Sequence, residues 1–171
     1  MDYLIVSAAT EGSRYVDCLN IQRKLLPAES FLPIIVPDRG SWAENTKLKP
    51  DAIREAFKVH DVVLWIDSDC KIDPPLAAPK GNWNICTAYN FHPRHRLKIS
   101  AGYLMLRRCD EIMRFLDVWD RLNKQNKKDH PAMMDALAEC RSILKMHDMT
   151  PWIKGRHVIN GLAPERGAYK A

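Results

Sequence analysis

The chain has 171 residues, 46% of them hydrophobic and 27% charged, with a formal net charge of +5. That length suits one domain with a substantial core, and no apolar run reaches the length of a membrane-spanning helix. Five cysteines (Cys18, Cys70, Cys86, Cys109, Cys140), an odd number without a C-x-x-C pair, argue against a disulfide framework or a thiolate zinc site. Reduced thiols and a start without secretory-signal character lead to an expected cytoplasmic location.

The first segment, "DYLIVSAAT", is a short apolar run closed by small residues and is expected to be a buried strand leading into a loop. "SRYVDCLNIQRKLL" spaces Tyr15/Val16, Leu19 and Leu25/Leu26 as a helix does, with Ser13 as the expected N-cap. "SFLPIIVP" is a second strand, bounded by prolines. "KPDAIREAFKVH" opens with a proline and an acid, as a helix start should, and repeats apolar residues at Ile53, Ala56 and Phe57. "DVVLWI" is the most apolar strand, and hydrophobicity on both faces predicts a central parallel position; Trp65 within it is expected to pack in the core.

"WNICTAYN" and "ISAGYLMLRR" read as further strands. "CDEIMRFLDVWDRLNKQ" sets Ile112/Met113, Leu116 and Trp119 on one helical face, and "HPAMMDALAECRSI" predicts another helix. From about residue 150 the tail is loop-rich, with a short strand expected at "HVI". The alternation of strand and helix over the first seventy residues predicts a single α/β domain with a Rossmann-like, mostly parallel central sheet flanked by helices. In such sheets ligands bind beyond the carboxyl ends of the strands.

At that edge "DVVLWI" runs into Asp67 and Asp69, followed by Asp73-Pro74-Pro75. In an extended chain, residues one apart point to the same side, so the two carboxylates are expected to converge on one spot. Their repulsion is relieved by a hard divalent cation, Mn2+ or Mg2+, bound through oxygen. The plainer alternative is that the acids end the strand and cap a turn. Basic clusters at "HPRHRLK" (His92 to Lys98), "RLNKQNKK" (Arg121 to Lys128) and "WIKGRH" (Trp152 to His157) attract phosphates on nucleotides or nucleic acid, although the second also suits a solvated helix face.

Taken in order, these segments resemble the GT-A-fold glycosyltransferases, the nucleotide-diphospho-sugar transferases. "DVVLWIDSDCKIDPP" is similar to the D-x-D strand of that superfamily, and "YLIVSAAT" with Tyr15 to its first strand and loop. "SWAENTKLKPDAIREAF" resembles the lysine-proline helix start before the D-x-D strand. "SAGYLMLRRCDEIMRFLDVWDRL" resembles the acceptor-side strand and helix, and "KDHPAMMDAL" the D-Q-x-x-L helix opening, with His130 in place of the usual glutamine. The likeness spans about residues 3 to 162 and rests more on order than on any one motif.

The resemblance implies transfer of a sugar from a nucleoside-diphosphate sugar to an acceptor hydroxyl. It assigns Thr10 and Tyr15 to the nucleoside pocket, Lys49 and Asp67 to the donor, and Asp67, Asp69 and the late His157 to the metal. Lys154 and Arg156 would neutralise the departing diphosphate, Asp129 would be the base, equally suited to capping its helix, and Ser100 and Gly102 would form an acceptor floor. The basic patches fit a nucleic-acid acceptor, a modified base carrying a hydroxyl that must leave the stack; protein and glycan acceptors stay open. Two alternatives are a non-catalytic nucleotide- or nucleic-acid-binding protein on the same fold and a haloacid-dehalogenase-like phosphatase. Lys71 stands where the latter family has threonine or valine.

Overall fold

The computed structural model describes residues 2–72, 77–89, 99–125, 128–153 and 157–158, with the backbone alone at 71–72, 152–153 and 157–158. The strands are β1 (Leu4–Thr10), β2 (Phe31–Val36), β3 (Val62–Ile66), β4 (Lys71–Ile72), β5 (Ile85–Tyr89), β6 (Ile99–Arg107), β7 (Met146–Asp148) and β8 (His157–Val158). The α-helices are α1 (Tyr15–Leu25), α2 (Trp42–Thr46), α3 (Lys49–Phe57), α4 (Asp110–Gln125), α5 (Asp129–Glu139) and α6 (Thr150–Ile153).

Six strands form one sheet in the order β2-β1-β3-β6-β5-β7, and β4 pairs with β8 in a separate two-stranded ribbon. Pairings β1–β2, β1–β3 and β5–β7 are parallel, whereas β6 runs antiparallel to both β3 and β5. The expected α/β sheet, mostly parallel and flanked by helices, is therefore what forms. "DVVLWI" lies inside the sheet as its sequence predicts, but only its β1 side is parallel. Its apolar character follows from cover on both faces, not from two parallel neighbours. Val63 and Trp65 face a core shared with α3, α4 and α5, while Leu64 and Ile66 face the opposite core with Leu19 of α1, Trp83 and Met149.

Local chemistry accounts for most element ends. Pro33 has no N–H to donate, and β2 tolerates it because β2 is a sheet edge. Pro50 sits in the first turn of α3, where a missing donor costs nothing. Leu19, Gln22 and Leu26 are buried beside the sheet, as are Ile112, Leu116 and Trp119 on α4. Ser13 is not the N-cap of α1. Arg14 holds that position, and the Ser13 hydroxyl instead donates to the Thr10 carbonyl at 2.7 Å. The turn between β1 and α1 needs Gly12, whose φ of 71° suits glycine.

Helix α2 and strands β4 and β7 have no counterpart in the sequence reading, since each is too short to show a period. None of the five cysteines is in a disulfide. No helix among the described residues is long and apolar enough to cross a membrane.

Candidate active site

The carboxyl ends of β1 and β3 open into a cleft of about 120 Å³. Its apolar wall is Ala8 and Ala9 of β1 with Tyr15 and Trp42, and Thr10, Lys49, Asp67 and Asp69 also line it. Trp42 is 47% exposed, a large ring left open to solvent although apolar surface is nearby. Ser41 caps α2 by accepting from the Glu44 N–H at 3.2 Å, and Asn45 donates to Asp38 at 2.8 Å. Trp42 is thus presented by a tied-down turn of helix.

Asp67 and Asp69 both reach the cleft, but by a route other than the expected strand alternation. β3 ends at Ile66, and the Cys70 N–H donates to the Asp67 carbonyl at 2.9 Å, closing a tight turn over 67–70. The buried Gln22 side chain fixes that turn, donating from Nε2 to the Asp67 carbonyl at 3.1 Å and the Cys70 carbonyl at 2.6 Å. The Asp67 N–H donates to the Gly102 carbonyl at 3.0 Å. Gly102 lies against the carboxylate so closely that a Cβ there would stand 3.2 Å from Asp67 Oδ2.

Lys49 is the hub beneath the cleft floor. Its Nζ lies 2.9 Å from Asp67 Oδ1 and 3.2 Å from Asp129 Oδ2, and donates to the Ala101 carbonyl at 3.2 Å. It also lies 5.7 Å from the centre of a Trp65 ring. The two indoles close the network: Trp65 Nε1 donates to Asp67 Oδ1 at 2.9 Å and Trp119 Nε1 to Asp129 Oδ1 at 3.0 Å. Trp65 is core, as expected, and is also a polar support that its apolar context in the sequence hides. Asp129 is buried, and His130 Nε2 pairs with the Ile99 carbonyl at 2.8 Å, so the start of α5 is tied to β6.

Burial works against the Lys49 charge, but Asp67 and Asp129 overcome it and hold its pKa above the ordinary lysine value. Asp69 is pushed above the usual carboxylate range by burial and then by the charge of Asp67, with Lys49 opposing. Burial raises Asp129 as well, against the pull of Lys49. Three carboxylates thus face one ammonium, leaving two formal negative charges around the cleft floor.

Among the described residues no group of three or more His, Cys, Asp or Glu side chains is gathered to hold a metal ion. The uncompensated carboxylate charge nevertheless fits a divalent cation, which would relieve the repulsion that raises Asp69. Of the other expected site residues, Thr10 and Tyr15 line the cleft, and Ser100 Oγ accepts from the Gly102 N–H at 3.1 Å. His157 is placed by its backbone only: it pairs with Ile72, three residues beyond Asp69. Lys154, Arg156 and the His92–Lys98 stretch lie outside the described residues.

Sequence reasoning gave Trp42 and Gln22 no site role and placed Trp119 only on the apolar face of its helix. The signal for Gln22 is a polar residue on the buried stripe of α1, between Leu19 and Leu26. Trp42 and Trp119 carry no signal beyond being tryptophans in amphipathic surroundings.

No protein-family model matches the chain, and neither does any curated protein sequence. Among solved structures it is similar to a glycosyltransferase involved in glycosylation of the major capsid of PBCV-1. That match has a TM-score of 0.61 at 14% identity and covers 90% of this chain and 79% of the other. It is also similar to the apo form of the glycosyltransferase GlyE of Streptococcus pneumoniae TIGR4, with a TM-score of 0.52 at 13% identity, covering 87% of this chain. The match spans 46% of the GlyE chain. At these identities the likeness is one of architecture: the chain has the α/β fold of these glycosyltransferases, with Asp67 and Asp69 in a cleft at the carboxyl edge of its sheet.

Proposed function

We propose that the protein is a metal-dependent glycosyltransferase that moves a sugar from a nucleoside-diphosphate sugar to an acceptor hydroxyl. The observation that carries this reading is the make-up of one cleft, where an apolar and aromatic wall of Ala8, Ala9, Tyr15 and Trp42 meets Asp67 and Asp69. A nucleoside diphosphate has that polarity: a flat base to stack and a charged diphosphate that reaches carboxylates only through a cation. The fold shared with two glycosyltransferases supports the same reading.

In this reading Tyr15 and Trp42 hold the base, Thr10 lines the nucleoside end, and Asp67 and Asp69 hold Mn2+ or Mg2+, with His157 completing the set. When bound, the cation stabilises negative charge on the leaving diphosphate. Lys154 and Arg156 would neutralise the departing diphosphate, while Ser100 and Gly102 form the floor on the acceptor side. The acceptor oxygen bonds to the anomeric carbon, the bond from that carbon to the diphosphate breaks, and the hydroxyl proton leaves with the diphosphate.

The test is a thermal-shift panel of nucleoside-diphosphate sugars with and without Mn2+. A shift that needs both the metal and one nucleotide, and vanishes in Asp69→Asn, is the expected result. Absence of a shift with any nucleotide and any divalent metal sinks the reading. Mass analysis of nucleic-acid, protein and glycan acceptors incubated with the active donor then identifies the hydroxyl.

A further inference from the structure

The buried network beneath the cleft has more charge and more ordered polar contacts than a fold requires. Lys49 is 7% exposed and Asp129 4% exposed. A buried charge is tolerated only when paired and hydrogen-bonded, and here every bond has a direction. Trp119 Nε1 and Lys49 Nζ engage the two oxygens of Asp129, one each. Lys49 Nζ and Trp65 Nε1 both engage Oδ1 of Asp67. The remaining oxygen of Asp67, Oδ2, lies over Gly102, and the side chain is 33% exposed.

We propose that Lys49 and Asp129 are a positioning pair: Asp129 orients Lys49, and Lys49 with Trp65 pins Oδ1 of Asp67 inward, leaving Oδ2 and Asp69 to a divalent cation. The proposal rests on the cation reading of Asp67 and Asp69 given above. It gives Lys49 and Asp129 roles different from those the family resemblance implies. Lys49 supports a ligand instead of touching the donor. Asp129, buried and bonded through both oxygens, holds Lys49 instead of taking a proton from the acceptor. The pair also joins the start of α5 to the turn after β3.

Simple electrostatics and positioning make opposite predictions for Lys49. Removing its charge makes the floor more negative, which by charge alone tightens a cation. Loss of the pin lets the Asp67 carboxylate swing, which loosens it. The experiment is Mn2+ titration of the full chain followed by electron paramagnetic resonance of free Mn2+, first alone and then with uridine diphosphate. For Lys49→Met, positioning predicts Mn2+ affinity weakened by about tenfold or more, the usual effect of removing a support behind a metal ligand. Unchanged or tighter Mn2+ binding overturns the proposal, and so does a loss seen only for uridine diphosphate, which would place Lys49 on the donor.

Because Lys49→Met leaves the buried Asp129 and the half-buried Asp67 without their ammonium, circular dichroism checks its fold. Trp65→Phe is the second variant, since it removes one hydrogen bond to Oδ1 without changing charge. It is expected to weaken Mn2+ by roughly threefold, the effect of one net hydrogen bond, and no change there overturns the proposal. If the unmodified protein takes up no Mn2+ in either condition, the cation reading itself fails and the pair has no ligand to position. That result is distinct from wild-type binding that survives in the variants.

Discussion

Gly102 of β6 and Asp67, the first residue after β3, are in direct contact: the Asp67 N–H donates to the Gly102 carbonyl at 3.0 Å, and a Cβ on Gly102 would stand 3.2 Å from Asp67 Oδ2. A side chain at 102 therefore meets the very oxygen that faces the proposed cation. Gly102→Ala is expected to leave the circular dichroism spectrum unchanged, because no left-handed backbone is needed there. It is expected to weaken Mn2+ binding by about tenfold through displacement of the carboxylate. Unaltered affinity in the Ala variant would show that Oδ2 has room to move aside.

Asp69 carries a cost in the metal-free protein. Burial and the charge of Asp67 raise its pKa, so folding disfavours its ionised form. Asp69→Asn is accordingly expected to raise Tm without metal at neutral pH, by about 2–4 °C if roughly 1 kcal/mol of repulsion is relieved. It is also expected to lose the metal-dependent shift. Asp69 and Asp129 are both raised. Each binds more protons folded than unfolded between its raised and its ordinary pKa, so the contribution of this pair to metal-free stability grows as pH falls from neutral into that window, while the lowered Asp38 and Glu111 act in the opposite sense. Urea unfolding in a chelator from pH 7 downward measures it, and Asp69→Asn flattens the rise.

Gln22 closes the turn that carries both acids, through bonds of 3.1 and 2.6 Å to the Asp67 and Cys70 carbonyls. Gln22→Ala leaves the Cys70 carbonyl, in a buried bond, and the Asp67 carbonyl, in a part-buried one, without that donor and is expected to cost about 1–3 kcal/mol in urea unfolding. Uridine diphosphate binding in Mn2+ should weaken as well. A variant that loses stability but keeps nucleotide affinity would separate the turn from the site.

Trp42 is half-exposed and lies in the cleft wall. Trp42→Ala is expected to change folding stability by less than about 0.5 kcal/mol, as at other surface positions. Nucleotide affinity should fall by about tenfold, within the range of one base–aromatic stacking contact. Trp42→Phe retains a stacking face and should recover most of the affinity, read by calorimetry with uridine diphosphate and Mn2+.

The long elements were legible because their burial is periodic. The two-sided apolar run of "DVVLWI", the stripe of α4 and the strand-helix alternation each report a pattern over many residues, and the sheet, its flanking helices and the acids at its edge follow. α2 and β7 were not legible, since they span 5 and 3 residues, too few to show a period, and β7 depends on its pairing with β5. The reversed direction of β6 was also hidden, because a strand buried on both faces looks alike whichever way it runs.

Local sequence determined the α/β class, the order of the elements and the placing of Asp67 and Asp69 at the end of β3. These depend on propensity and spacing within a few residues. The tertiary structure alone decided what surrounds those acids: that a turn held by Gln22 directs them, that Gly102 lies under Oδ2, and that Lys49 lies between Asp67 and Asp129, 2.9 and 3.2 Å away. Gln22, Gly102, Lys49 and Asp129 come from four separate elements, and a carboxylate's neighbours in space, not in sequence, set its charge and orientation.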